Sequence, residues 1–106
     1  IASGQIPSKR VFEDERYFAF RDINPQAPTH VLVVPKTHIA TTNDIAEADT
    51  ALIGGLFRVA AKIARDEGCA DEGYRTVFNC NRGAGQTVFH VHLHLLGGRP
   101  FGWPPG

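Results

Sequence analysis

The chain has 106 residues, one domain's worth, and a domain of that size buries roughly 60–70% of the surface its unfolded chain exposes, enough for a core without staples. Eleven basic and eleven acidic residues balance to zero, and no lysine or arginine run forms a stripe that would track nucleic acid. Two cysteines, in no metal or redox spacing, exclude a disulfide scaffold and point to a reduced, cytoplasmic setting. No apolar run approaches the ~20 residues of a membrane span, and no signal-peptide pattern opens the chain. The chain contains no methionine. Residues 1–106 are expected to be a single domain whose natural N-terminal segment, before Ile1, is missing.

Val11–Glu13 and Tyr17–Phe20 read as two strands around a polar turn at Asp14-Glu15-Arg16. Pro25 and Pro28 punctuate a loop. His30–Val34 is a β-branched run, predicted as a central strand closed by Pro35. The polar, acidic stretch 43–49 leads into one helix, Thr50 to Glu67, on which Leu52, Leu56, Val59 and Ile63 form an apolar stripe. That stripe would pack on a sheet or serve as an interface. Glu47 and Asp49 near its start, with Lys62 and Arg65 near its end, complement the helix dipole. Gly68 is expected as a left-handed stop. Tyr74–Cys80 and Thr87–Leu96 read as further strands, with a turn at Gly83-Ala84-Gly85. The order β-β-β-α-β-β predicts an α+β fold, an antiparallel sheet of about five strands with one long helix packed on it.

His90, His92 and His94 alternate with Val91, Leu93 and Leu95, so a continuous strand would place three imidazoles on one face. A core strand gains nothing from such a row, because each buried ring nitrogen needs a partner. Two uses compete. Metal binding is awkward: at ~3.3 Å per residue His90 and His94 start roughly 13 Å apart, and a structural zinc wants four ligands. Nucleophilic and proton-transfer chemistry suits imidazole, whose pKa near 6.5 leaves it largely neutral at pH 7.

His90-Val91-His92-Leu93-His94-Leu95-Leu96 resembles the His-x-His-x-His-x-x motif of the histidine triad (HIT) superfamily. Asp22–His30, Gly85–Phe89, Leu96–Arg99 and Trp103–Gly106 narrow the resemblance to its nucleotide-binding branch, the Hint proteins, over nearly the whole chain. That resemblance implies a homodimeric hydrolase of purine nucleoside 5′-phosphoramidates that needs no cofactor and no metal, and whose ligands are purine nucleoside monophosphates and phosphoramidates. It makes His92 the nucleophile that forms a nucleotidyl-histidine. His94 and His30 would contact phosphate and relay protons, and His90 would orient the strand. Asp22 would take the ribose hydroxyls, although a turn-forming Asp is its ordinary reading. Phe20 and Ile23 would line the base slot, where plain core packing competes. Asn79, Gly85, Gln86, Thr87 and Leu93 would complete the nucleotide site, and Trp103 would reach the leaving group in the partner subunit. A nucleotide-binding interaction module with little catalysis and a dinucleoside polyphosphate hydrolase are the alternatives.

Overall fold

A computed structural model describes residues 9–106; residues 1–8 of the expected domain, and the segment expected before Ile1, lie outside the described residues. Strand β1 (Arg10–Glu13) turns into β2 (Tyr17–Arg21) where Asp14 Oδ1 accepts the N–H groups of Arg16 and Tyr17, each at 2.8 Å. This is the local bond that makes Asp a turn residue. Next come β3 (Thr29–Pro35), α1 (Thr50–Asp66), β4 (Tyr74–Val77) and β5 (Leu93–Gly97). The strands form one five-stranded sheet in the order β1-β2-β3-β5-β4, antiparallel at every pairing, with β3 in the centre. The α+β expectation holds.

Helix α1 ends as Gly68 suggests. Gly68 has φ +82°, its N–H reaches the Arg65 carbonyl at 3.1 Å, and the Cys69 N–H reaches Ala64 at 3.0 Å. That bond pair is a Schellman cap, which satisfies carbonyls the helix leaves open. Leu56, Val59 and Ile63 are buried with Ala60 and Ala64, and Leu52 packs at their margin. They meet Ala19, Val31, Val33, Leu93 and Leu95 of the sheet. The stripe is therefore covered by its own sheet and is not an interface.

Alternation along each strand sends the neighbouring residues to the other side. Phe20, Leu32 and His94 stand in register across β2, β3 and β5, on the face away from α1. His30 shares that face, so the helix packs on one side and the histidines gather on the other.

Two strands are shorter than the sequence predicts. β4 ends at Val77 rather than Cys80, and β5 begins at Leu93 rather than Thr87. The β3–β5 ladder stops at Val33↔Leu93. Two residues on, Pro35 has no N–H to continue it, and the Lys36 N–H goes to the Arg16 carbonyl instead (2.7 Å). The Val91 N–H turns to the Ile39 carbonyl at 2.7 Å. The histidine motif therefore straddles the end of a strand.

Helix α1 carries two adjacent glycines with different reasons to be there. Tyr17 donates its hydroxyl to the Leu52 carbonyl (2.7 Å) and lies where a Cβ on Gly55 would be, whereas a Cβ on Gly54 would meet nothing within 4 Å. Gly54→Ala gains helix propensity and is expected to stabilise the protein by about 0.5–1 kcal/mol. Gly55→Ala gains the same amount but overpacks Tyr17, at about 1–3 kcal/mol, and disturbs its hydrogen bond, worth about 1 kcal/mol; the net expectation is destabilisation by about 1–3 kcal/mol. Urea denaturation of the two variants checks the opposite signs.

Candidate active site

Backbone groups have fixed donor and acceptor roles, so they determine which nitrogen of each imidazole carries the proton. A carbonyl can only accept. His92 Nδ1 lies 2.8 Å from the His90 carbonyl oxygen, so Nδ1–H donates and the lone pair is left on Nε2. His90 Nε2 lies 2.7 Å from the Pro35 carbonyl, so it donates there, and its Nδ1 accepts from His38 Nδ1–H at 3.2 Å. The Gln26 N–H donates to His30 Nδ1 at 3.0 Å. His30 therefore carries its proton on Nε2 and donates to His94 Nδ1, 3.0 Å away. His94 is left with its own proton on Nε2.

These chains divide the histidines into two groups. His92 and His94 are neighbours, ring centroids 5.1 Å apart, and His30 joins them at 5.2 Å from His94. His90 turns away to His38, ring to ring 5.2 Å. The expectation of three imidazoles in a row on one strand face is corrected: only His94 is in the strand, and His90 acts on His92 through its carbonyl. His38 was not singled out by the sequence. It lies outside the motif, and only its residue type marked it.

Burial is the first cause of every shift among the motif histidines. It pushes His94 down to about 4, helped by the neighbouring His92 and His30 and opposed by Asp22. Burial also lowers His30, against Asp22, and lowers His90, against the Pro35 carbonyl. His94 is thus a neutral Nε2–H donor at pH 7.

Asp22 sits behind this pair. Its Oδ1 accepts the Asn24 N–H at 2.8 Å, the turn role, while Oδ2 lies 3.5 Å from His30 Nε2. Asp22, His30 and His94 each bring one ligand atom within 4.8 Å of the others, a donor set that the histidine motif alone does not suggest. The two imidazoles already share a hydrogen bond, and three ligands fall short of a closed zinc site.

The remaining expected residues fall in different places. Phe20 is buried in β2 on the histidine face, packed 5.5 Å from Phe18, and Ile23 is 74% exposed beyond the strand. Leu93 is buried under α1, so its side chain points away from the histidines. Asn79 is half-buried in the segment after β4, with no side-chain bond to the histidines among the described residues. Gly85 has φ +93°, in the left-handed region that favours glycine. Gln86 is buried: its Oε1 accepts the Asn81 N–H (2.7 Å) and its Nε2 donates to the carbonyls of Ala40 (2.9 Å) and Val88 (3.0 Å). Its side chain shapes the loop that presents the exposed Thr87. Trp103 is 84% exposed on the tail, which Arg75 holds through the Gly102 carbonyl (2.9 Å).

A family model described as the HIT domain matches residues 3–101. The purine nucleoside phosphoramidase of Escherichia coli K12 is 52% identical over 102 residues, covering 96% of this chain and 86% of the relative. The crystal structure of a HIT family hydrolase from Legionella pneumophila superposes with TM-score 0.96 at 57% identity, over 100% of this chain and 95% of that one. A histidine triad nucleotide-binding protein from Candida albicans gives TM-score 0.78 at 33% identity, over 97% and 78%.

The His94 shift has a sign that can be tested. Its folded value, about 4, lies below the ordinary 6.5, so the unfolded chain binds the proton more readily across that window. The stability it contributes is complete above about pH 6.5 and is lost as pH falls toward 4; the lowered His30 and His90 act in the same direction. The His94 ring resonances are expected to stay flat from about pH 8 to about pH 5.5, and the urea midpoint to fall between about pH 7 and about pH 5. A His94 titration centred near 6.5 would contradict the burial argument.

Proposed function

We propose that this chain, which belongs to the HIT domain family, hydrolyses the P–N bond of purine nucleoside 5′-phosphoramidates, releasing the nucleoside monophosphate and an amine. The observation that carries this reading is the bond from His92 Nδ1 to the His90 carbonyl, which in the neutral ring points the Nε2 lone pair outward as the nucleophile. The activity named for the E. coli relative supports the substrate class.

The reaction runs in two displacements, which divides one hard step into two easier ones. His92 Nε2 attacks the phosphorus, the P–N bond to the amine breaks, and the His90 carbonyl steadies the positive charge that grows on the ring. Water then attacks the nucleotidyl-histidine, and the P–N bond to His92 breaks. His94 Nε2–H donates to a phosphate oxygen, held in that role by His30. The His30–His94 pair carries no surplus proton at pH 7, because His30 Nε2–H is engaged by His94 and the charged form of His94 is disfavoured. The leaving amine therefore takes its proton from water, with the Thr87 hydroxyl as a hydrogen-bond partner on that side. Asp22 holds the ribose hydroxyls, and Phe20 with the exposed Ile23 forms the base slot.

The chain acts as a homodimer, in a cytoplasmic setting that keeps Cys69 and Cys80 as thiols. Among the described residues the edge strand β4 pairs only with β5. Open edges are templates for pairing, and half-exposed Phe57, packed edge-to-face on Phe78 at 5.9 Å, flanks it with exposed Tyr74. Trp103 would reach the partner's leaving-group side.

His92→Asn is expected to lower turnover of an adenosine phosphoramidate by at least about 10²–10⁴-fold while nucleotide binding stays within about tenfold. Rapid-quench trapping of a nucleotidylated His92 in the parent protein is the direct readout. A variant retaining more than about a tenth of the rate sinks the assignment. Exhaustive chelation is expected to leave activity intact, and a loss that zinc restores would move the Asp22–His30–His94 cluster to the centre of the mechanism. Light scattering at micromolar concentration is expected to give a dimer mass. Deleting residues from Gly102 onward is expected to change preference among leaving groups more than among bases, and unchanged preference would remove the tail from the site.

A further inference from the structure

A groove of about 800 Å³ lies between the β1–β2 turn and α1, on the helix side of the sheet and away from the histidines. Arg16, Arg58, Lys62 and Arg65 line it, with Asp14 as the one carboxylate. Asp14 is already engaged by the N–H groups of Arg16 and Tyr17. Elsewhere Arg10 and Lys36 share Glu13, Arg21 pairs with Glu67, and Arg75 and Arg99 donate to backbone carbonyls. In the groove Lys62 pairs with Asp66 at 2.8 Å, but Arg16, Arg58 and Arg65 have no ion pair among the described residues. Residues 1–8 contain no carboxylate side chain to supply one. Three cations without a carboxylate partner among the described residues, Arg16, Arg58 and Arg65, thus line one concavity beside Lys62.

The helix wall adds a second, independent observation. Gly54 is exposed in the second turn of α1, where glycine costs about 1 kcal/mol against alanine. Packing does not account for it, since an added Cβ would meet nothing within 4 Å. Its effect is to leave bare backbone in the groove between Ala51 and Arg58. Along α1, Arg58, Lys62 and Arg65 span about 10 Å at 1.5 Å per residue, and Arg16 faces them from the turn. Guanidinium forks suit phosphate oxygens, which they can hold two at a time.

We propose that this groove is a second anion site that binds a short linear polyphosphate along α1, whether inorganic or the tail of a nucleoside polyphosphate. A linear chain of several phosphates matches the row of cations better than a single anion does. The site is separate from the histidines and does not depend on the reaction proposed for them.

Isothermal titration of the full chain with inorganic tripolyphosphate tests it, with AMP saturating the histidine site. Binding at one equivalent is expected. The paired change Arg58→Glu, Lys62→Glu is expected to weaken it at least about tenfold, and Gly54→Leu to weaken it through bulk alone. Lys9→Glu, outside the groove, is expected to change it less than about twofold. Phosphoramidate turnover and circular dichroism serve as folding checks, and both should match the parent in every variant. A nucleoside triphosphate that binds with the same variant sensitivity identifies a nucleotide as the source of the chain; tripolyphosphate alone identifies the inorganic one. Absence of binding overturns the proposal. So does equal weakening by Lys9→Glu, which would mean charge without a site, and so does binding of an acidic peptide but not of tripolyphosphate.

Discussion

The His90 carbonyl oxygen accepts the Nδ1 proton of His92, and the chemistry of the site depends on this backbone atom. A free imidazole exchanges its proton between two nitrogens, so only a fraction of molecules would present a usable lone pair in a given direction. Here the direction is set by a peptide group with a single role. That peptide group is itself held, because His90 Nε2 donates to the Pro35 carbonyl and Val91 N–H to Ile39. Both bonds exist because the β3–β5 ladder has ended. A longer ladder would have turned these same groups toward strand pairing.

The sheet separates two kinds of chemistry. On the helix side, Leu56, Ile63, Val31, Val33, Leu93 and Leu95 are removed from water and need no partners. On the other side, burying His30 and His94 would be costly without hydrogen bonds. The line from the Gln26 N–H through His30 to His94 supplies them. The bidentate Arg21–Glu67 pair, at 2.8 and 3.0 Å with Thr29 alongside at 3.4 Å, ties the end of α1 to β2 and β3. Helix position and histidine position are thereby mechanically linked through the central strands.

Much of this was legible in the residues. Period-2 and period-3.6 patterns located β2, β3 and α1, and Gly68 marked the helix end, because those signals are local. The motif named His92 and His94, and the Asp22–His30 stretch named their support. What stayed hidden was non-local. Where β5 starts depends on Pro35 lacking an N–H two residues past the last β3–β5 pair, a fact about the partner strand. His38 meets His90 across 52 positions of chain. Gln86 looked like a ligand residue, whereas three internal bonds occupy its side chain. Leu93, by contrast, lies in the core, where the alternation along the motif places it. Residue type and spacing do not report which distant group a buried side chain will meet.

Trp103 is the chain's one tryptophan, and it stands 84% exposed on the tail. Near-ultraviolet emission excited at the red edge of protein absorption therefore comes from a single site, with no second indole to dilute it. The two tyrosines, Tyr17 and Tyr74, absorb too little there to compete. An indole in water emits further to the red than one in an apolar contact, so the colour of the light reports whether the tail is free or docked. The protein carries its own optical label on an exposed segment of its tail.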